Sequence, residues 1–165
     1  PYGLPEQQNS NTREIDAFGV YKIDHNGQVD MVIDSLSRPN GVALSPDEKI
    51  LYVNQSDNNA PLIMAYPVQP DGSLAKGRIF FDASSLLEEG LVGSLDGLKV
   101  AKDGTIFSTG PGGVLVLTPD GKLLGRIATG QRTANCAWGD DGSALYMTAH
   151  SYLMRIQTKT TGLGF

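Results

Sequence analysis

Three polar residues open three similar stretches of this chain, and each is of a type that holds cations or activates water. Asn40 stands in Arg38-Pro39-Asn40-Gly41-Val42-Ala43-Leu44, Asp96 in Ser94-Leu95-Asp96-Gly97-Leu98-Lys99-Val100, and Asn135 in Thr133-Ala134-Asn135-Cys136-Ala137-Trp138. Amide and carboxylate oxygens are hard donors of the kind Ca²⁺ prefers, and a placed carboxylate can take a proton from water. Each stretch is followed by a turn and a second apolar run. The aromatic residue of that run (Tyr52, Phe107, Tyr146) falls 12, 11 and 11 residues after the polar one. Copies of such a unit set around an axis would bring their oxygens together. The pattern alone also fits turn formers at strand entry, because Asn-Gly and Asp-Gly are common there. For Asn135, which precedes Cys136 and not Gly, the two readings are evenly matched.

Other chemistry is sparse. His25, His150 and Cys136 are dispersed, and no Cys-x-x-Cys or His-Glu-x-x-His spacing offers a zinc site. A single cysteine excludes an intrachain disulfide, and the apolar run around Cys136 makes it a small core residue. Arg38 is placed either to face an anionic substrate group or to bridge loops. His150, at a strand end, is placed at a channel mouth or on an exposed loop.

The elements that position these residues are strands. Asn-Gly and Asp-Gly turns recur at His25-Asn26-Gly27, Pro70-Asp71-Gly72, Lys102-Asp103-Gly104, Pro119-Asp120-Gly121 and Asp140-Asp141-Gly142, with Pro46-Asp47-Glu48 in the same role. Between them lie Val-, Ile-, Leu-, Tyr- and Phe-rich runs of strand length. The spacing predicts an opening hairpin (19–24, 28–34) and a first set of four strands (41–44, 50–53, 62–67, 77–81). A second set of four (97–100, 105–109, 114–118, 123–128) and a closing set of three (136–138, 143–148, 152–157) follow. Residues 84–90 allow at most one helical turn, inside a loop insertion that lengthens the first repeat to 56 residues against 39 for the second. Four-stranded antiparallel units at this interval mark β-propeller blades in an all-β domain spanning 1–165, about half a ring. Trp138 and Tyr146 are expected between blades, and Tyr2 and the serines near Ser84 at a channel rim.

Composition narrows the partners. The 165 residues are 40% hydrophobic and 19% charged, enough for one packed domain. A net charge of −5 offers no basic surface for nucleic acid. No apolar run reaches membrane-spanning length and no secretory signal precedes the strands, which points to a cytoplasmic or periplasmic protein without a membrane partner. An open arc of blades leaves strand edges in water. The chain is therefore expected either to be the C-terminal part of a longer one or to form a homodimer that completes the ring.

These motifs together resemble the gluconolactonase / senescence-marker-protein (regucalcin) family of six-bladed propellers, C-terminal half only. The resemblance is carried by Pro1-Tyr2-Gly3-Leu4-Pro5, by Gly19-Val20-Tyr21-Lys22-Ile23, and most specifically by Arg38-Pro39-Asn40-Gly41-Val42-Ala43-Leu44-Ser45-Pro46-Asp47-Glu48. Ser94-Leu95-Asp96-Gly97, Ala134-Asn135-Cys136-Ala137-Trp138-Gly139 and Ser151-Tyr152-Leu153-Met154-Arg155-Ile156 extend it over the whole chain. It implies one divalent cation, Ca²⁺ first with Mg²⁺, Mn²⁺ and Zn²⁺ as alternatives, held by Asn40 and Asp96. The family's ligand Glu belongs to a half that this chain does not include. The implied activity is a hydrolase opening sugar lactones or related esters. Asp96 is then ligand and general base, and Arg38, Asn135 and His150 contact substrate. Phosphotriester hydrolysis and a non-catalytic calcium-binding or interaction propeller are the alternatives.

Overall fold

The computed structural model describes residues 4–6 and 9–164; Tyr2 lies outside them. The chain divides into two compact units, Pro1–Pro39 and Asn40–Phe165. In the first, β1 (Val20–Ile23) and β2 (Val29–Ile33) form an antiparallel hairpin. Asp24 closes its turn by accepting the Asn26 and Gln28 N–H groups, both at 2.8 Å.

The second unit holds three antiparallel sheets in chain order. The first joins β3 (Pro39–Leu44), β4 (Ile50–Gln55), β5 (Leu62–Pro67) and β6 (Arg78–Asp82). The second joins β7 (Leu98–Val100), β8 (Ile106–Gly110), β9 (Gly113–Leu117) and β10 (Leu123–Ile127). The third joins β11 (Thr133–Gly139), β12 (Ala144–Ala149) and β13 (Tyr152–Gln157). Each sheet runs in sequence order through hairpins, which is the propeller-blade arrangement that the turn spacing predicts.

Alternation along the strands builds two cores. Successive side chains of a strand point to opposite faces. Ile106, Leu115 and Leu117 of the second sheet therefore meet Tyr52, Ile63, Ala65 and Phe80 of the first. Their neighbours Phe107 and Val114 meet Cys136, Leu145 and Met147 of the third. All ten residues of β8 and β9 are buried except Val116, because this sheet has a neighbour on both faces. The Trp138 ring stands edge-on to Phe107 with centroids 5.1 Å apart, and its Nε1–H donates to the Val100 carbonyl at 3.2 Å. The residues between β6 and β7 are more than a loop insertion. They contain α1 (Ser84–Glu88), whose Leu86 is buried with Ala83 and Leu95 in the first core. A five-residue helix carries too short an apolar period to announce which side chain it buries.

One turn device recurs around the unit. An aspartate side chain accepts the N–H two residues on: Asp71 from Ser73 (2.9 Å), Asp103 from Thr105 (2.9 Å) and Asp141 from Ser143 (3.1 Å). Glycine follows in the left-handed region at Gly72, Gly104 and Gly142, but Glu48 adopts that conformation in the turn after β3 (φ 56°). These bonds favour the ionised carboxylate. Asp47 is held below its ordinary value of 3.8 first by the Ser45 hydroxyl, Asp141 first by the Ser143 hydroxyl, and Asp120 first by the Thr118 hydroxyl. A carboxyl whose pKa is lower folded than unfolded stabilises the fold above the unfolded value and stops doing so as pH falls through the folded one. The melting temperature is therefore expected to fall progressively below about pH 4, and Asp47→Asn with Asp141→Asn should flatten that decline. Thermal melts across pH 2–7 check it.

Candidate active site

Asn40 lies on β3 and Asp96 two residues before β7 of the neighbouring sheet, and the backbone brings them together. The Gly41 N–H donates to the Asp96 carbonyl at 2.9 Å, and one sheet further on the Gly97 N–H donates to the Ala134 carbonyl at 2.9 Å. A β-carbon on Gly41 would fall on the Asp96 carbonyl oxygen, and one on Gly97 would fall on the Asn135 side chain. Neither glycine has the positive φ of a turn former. Their small size instead lets successive sheets approach at their inner strands. Ala134 sits where the β11–β12 register shifts, an irregularity of the kind that re-aims backbone groups at functional edges.

The side chains complete the pairing. The Asn40 amide hydrogen-bonds the Asp96 carboxylate, and its Nδ2 donates to Ser56 Oγ at 3.0 Å. Ser56 Oγ in turn donates to the Leu95 carbonyl at 2.5 Å. Asp96 is half-buried. Burial pushes its carboxyl above the ordinary value, and the bond from Asn40 offsets part of that rise. An incompletely solvated carboxylate is an electrostatic setting that a cation improves.

Two buried residues at this site, Ser56 and Asn54, were not anticipated from sequence. Asn54 on β4 is 0% exposed, and its Nδ2 donates to the Asp96 carbonyl (2.8 Å) and to Ser108 Oγ (2.9 Å). A carbonyl cannot donate, so this bond fixes the orientation of the amide, and Asn54 Oδ1 is left buried without a partner. Such an orphaned acceptor costs about 1–3 kcal/mol. The available signal was positional. Asn54, Thr109 and Thr148 each follow the repeat's aromatic by two residues. Thr109 Oγ1 shares its proton between the Gly97 carbonyl (3.2 Å) and the Ala134 carbonyl of the next sheet (3.3 Å), while Thr148 Oγ1 donates to the Asn135 carbonyl in its own sheet (3.3 Å).

Of the other expected site residues, Asn135 lies against Gly97, the residue after Asp96. Asn135 is exposed, and its Oδ1 accepts the Cys136 N–H at 2.9 Å. With Lys99, Tyr146, Thr148 and Leu153 it lines a hollow of about 240 Å³. His150 is exposed in the β12–β13 turn at φ 54°, and its N–H binds the Arg132 carbonyl (2.9 Å). Arg38 is half-buried and belongs to the first unit.

The donor set fits a hard cation in kind. Asn40 Oδ1 and the Asp96 carboxylate offer oxygen ligands. Among the described residues no three His, Cys, Asp or Glu side chains converge. Zinc is poorly served. The Cys136 thiol is buried and pushed up to about 11 by desolvation, and His25 and His150 occupy separate turns. Among the described residues no helix is long and apolar enough to cross a membrane.

Comparison with known proteins agrees with this architecture. The chain is 37% identical over 165 residues to the gluconolactonase of Zymomonas mobilis, covering 98% of this chain and 46% of that one. A gluconolactonase structure from Xanthomonas campestris superposes with a TM-score of 0.78 at 31% identity, covering 90% of this chain and 47% of that one. A calcium-binding regucalcin from Agrobacterium tumefaciens shares the fold, with a TM-score of 0.72 at 23% identity over 87% of this chain and 53% of that one. The chain spans half or less of the length of the curated relatives it matches. Residues 3–151 match the SMP-30/gluconolactonase/LRE-like region, and with its blade sheets and its strand-entry motifs the chain belongs to that family.

Proposed function

We propose that this chain carries part of the active site of a cation-dependent lactonase, which opens a sugar lactone or a related cyclic ester to the hydroxy acid. The observation that supports this most is the Asn40–Asp96 pair, an amide on one inner strand and a half-buried carboxylate at the entry of the next, held side by side. Similarity to gluconolactonases supplies the substrate class.

A bound divalent cation, Ca²⁺ by the oxygen chemistry of the donors, supplies Lewis-acid polarisation of the lactone carbonyl and a more acidic water. Asn40 Oδ1 and the Asp96 carboxylate would hold it. Asp96 also orients the attacking water and accepts its proton. The water oxygen bonds to the acyl carbon, the ring acyl–oxygen bond breaks, and the departing ring oxygen takes up a proton to become the new hydroxyl. Because a cation lowers the pKa of a neighbouring carboxylate, positioning of the water is the larger part of that role. Asn135 and Arg38 are assigned to substrate contact, as is His150.

Two ligand residues leave most of a Ca²⁺ shell to water and to other donors. A second copy of this chain completing the ring is one source of those donors. A particle of twice the chain mass in light scattering supports that source, and a monomer rejects it. Calorimetry with CaCl₂ and initial rates on a panel of sugar lactones test the function. Saturable Ca²⁺ binding with lactone turnover is expected. No binding by any assembled species overturns the proposal. Binding without turnover leaves a calcium-binding module, the reading to which the likeness to regucalcin lends support.

A further inference from the structure

The repeated contact between sheets has a common form and one exception. At each junction a single carbonyl accepts a glycine N–H and faces a side-chain donor from the preceding sheet. Ala134 O receives Gly97 N–H and lies 3.3 Å from Thr109 Oγ1, whose one proton it shares with the Gly97 carbonyl at 3.2 Å. Asp96 O receives Gly41 N–H and Asn54 Nδ2. Threonine suffices at the first junction, and it suits a strand better than asparagine does. At the second, an amide is kept although its Oδ1 is buried without a partner. That choice is costly for packing, and departures of this kind gather at functional sites. The amide has two N–H bonds where a hydroxyl has one, so Nδ2 reaches the Asp96 carbonyl and Ser108 Oγ together. Ser56, two residues further along the same strand direction, binds the peptide preceding Asp96 and receives the Asn40 amide.

We infer that Asn54 and Ser56 are positioning residues, a buried brace that sets the Asp96 carboxylate against the Asn40 side chain from behind. Ser56 fixes the amide and the Leu95 carbonyl, Asn54 fixes the next carbonyl, and neither needs to touch substrate. Groups that orient ligands in this way govern cation affinity more than they govern folding. The inference rests on the Asn40–Asp96 cation reading, and the test separates the two.

The variants are Asn54→Thr, which copies the neighbouring junction, and Ser56→Ala. Both are measured by calorimetry with CaCl₂, by thermal melting, and by the Asp96 carboxyl ¹³C resonance in the same 165-residue chain. Asn54→Thr is expected to melt within a few degrees of the parent while binding Ca²⁺ about tenfold more weakly, and Ser56→Ala to weaken binding similarly. A purely structural latch predicts instead that threonine restores everything. Parent-like Ca²⁺ affinity in both variants overturns the brace. Should the parent itself bind no Ca²⁺, the cation reading falls, and the carboxyl resonance decides the brace alone. A resonance displaced in Asn54→Thr supports it, and an unmoved one overturns it. If either variant fails to fold, the other decides by the same readouts.

Discussion

Asp96→Asn is expected to abolish lactone turnover while leaving the fold intact. Asparagine has the shape of aspartate and can still meet the Asn40 amide, so the sheets need not move. It cannot carry charge or take a proton. Loss of a placed proton acceptor costs about 10²- to 10⁴-fold in rate, and loss of a charged ligand removes measurable Ca²⁺ affinity. The stability effect has the opposite sign. Burial raises the Asp96 pKa, so the ionised group opposes folding at neutral pH. The neutral isostere relieves that cost, and the melting temperature should rise slightly or stay constant. Initial rates on a δ-lactone, calorimetry with CaCl₂ and a thermal melt together check the prediction. Turnover within tenfold of the parent would remove Asp96 from the chemistry.

Leu115→Ala should produce the largest loss of stability. Leu115 is 0% exposed on β9, in the middle of the sheet that is covered on both faces, and it faces the core shared with Ile63, Leu98 and Ile106. Ile63 and Ile106 belong to strands bonded on both sides, which limits how far they can collapse into the space left. Leucine-to-alanine changes in such places cost about 2–5 kcal/mol. For a chain of this size that lowers the melting temperature by about 5–15 °C. Leu124→Ala, at a side chain 61% exposed on β10, is the control and should stay within about 0.5 kcal/mol. Urea unfolding with an unchanged denaturant slope distinguishes a cavity from a disordered native state. A Leu115→Ala midpoint equal to that of Leu124→Ala would contradict this packing.

Strand positions were readable from sequence because each hairpin advertises its own turn. Asp71-Gly72, Asp103-Gly104 and Asp141-Gly142 supply a local carboxylate acceptor and a left-handed residue, and neither depends on distant chain. The equivalence of Asn40, Asp96 and Asn135 was readable because the repeat is nearly regular. The role of Gly41 and Gly97 was not. Their sequence context is that of turns, and only the approach of a neighbouring sheet shows why a β-carbon is refused. Asn54 and Ser56 were missed for a related reason. In Val53-Asn54-Gln55-Ser56 polar residues end a strand unremarkably, and the bonds that give them meaning reach residues about 40 positions away. Long-range partners leave no local pattern. Leu86 was hidden in the same way, by a helix too short to show a face.

The double covering of β7–β10 also has a kinetic consequence. In a linear stack, fluctuations that detach an end layer break one junction, whereas exposing the middle layer breaks two. Amide protons of β8 and β9 should therefore exchange with deuterium only through the costliest openings, and those of β13 through the cheapest. Asp96 stands two residues before the first strand of that slowest layer. The carboxylate proposed as proton acceptor is thus tethered beside the layer where local breathing is rarest, and the mobility needed to admit and release a ligand would fall to the loops around it.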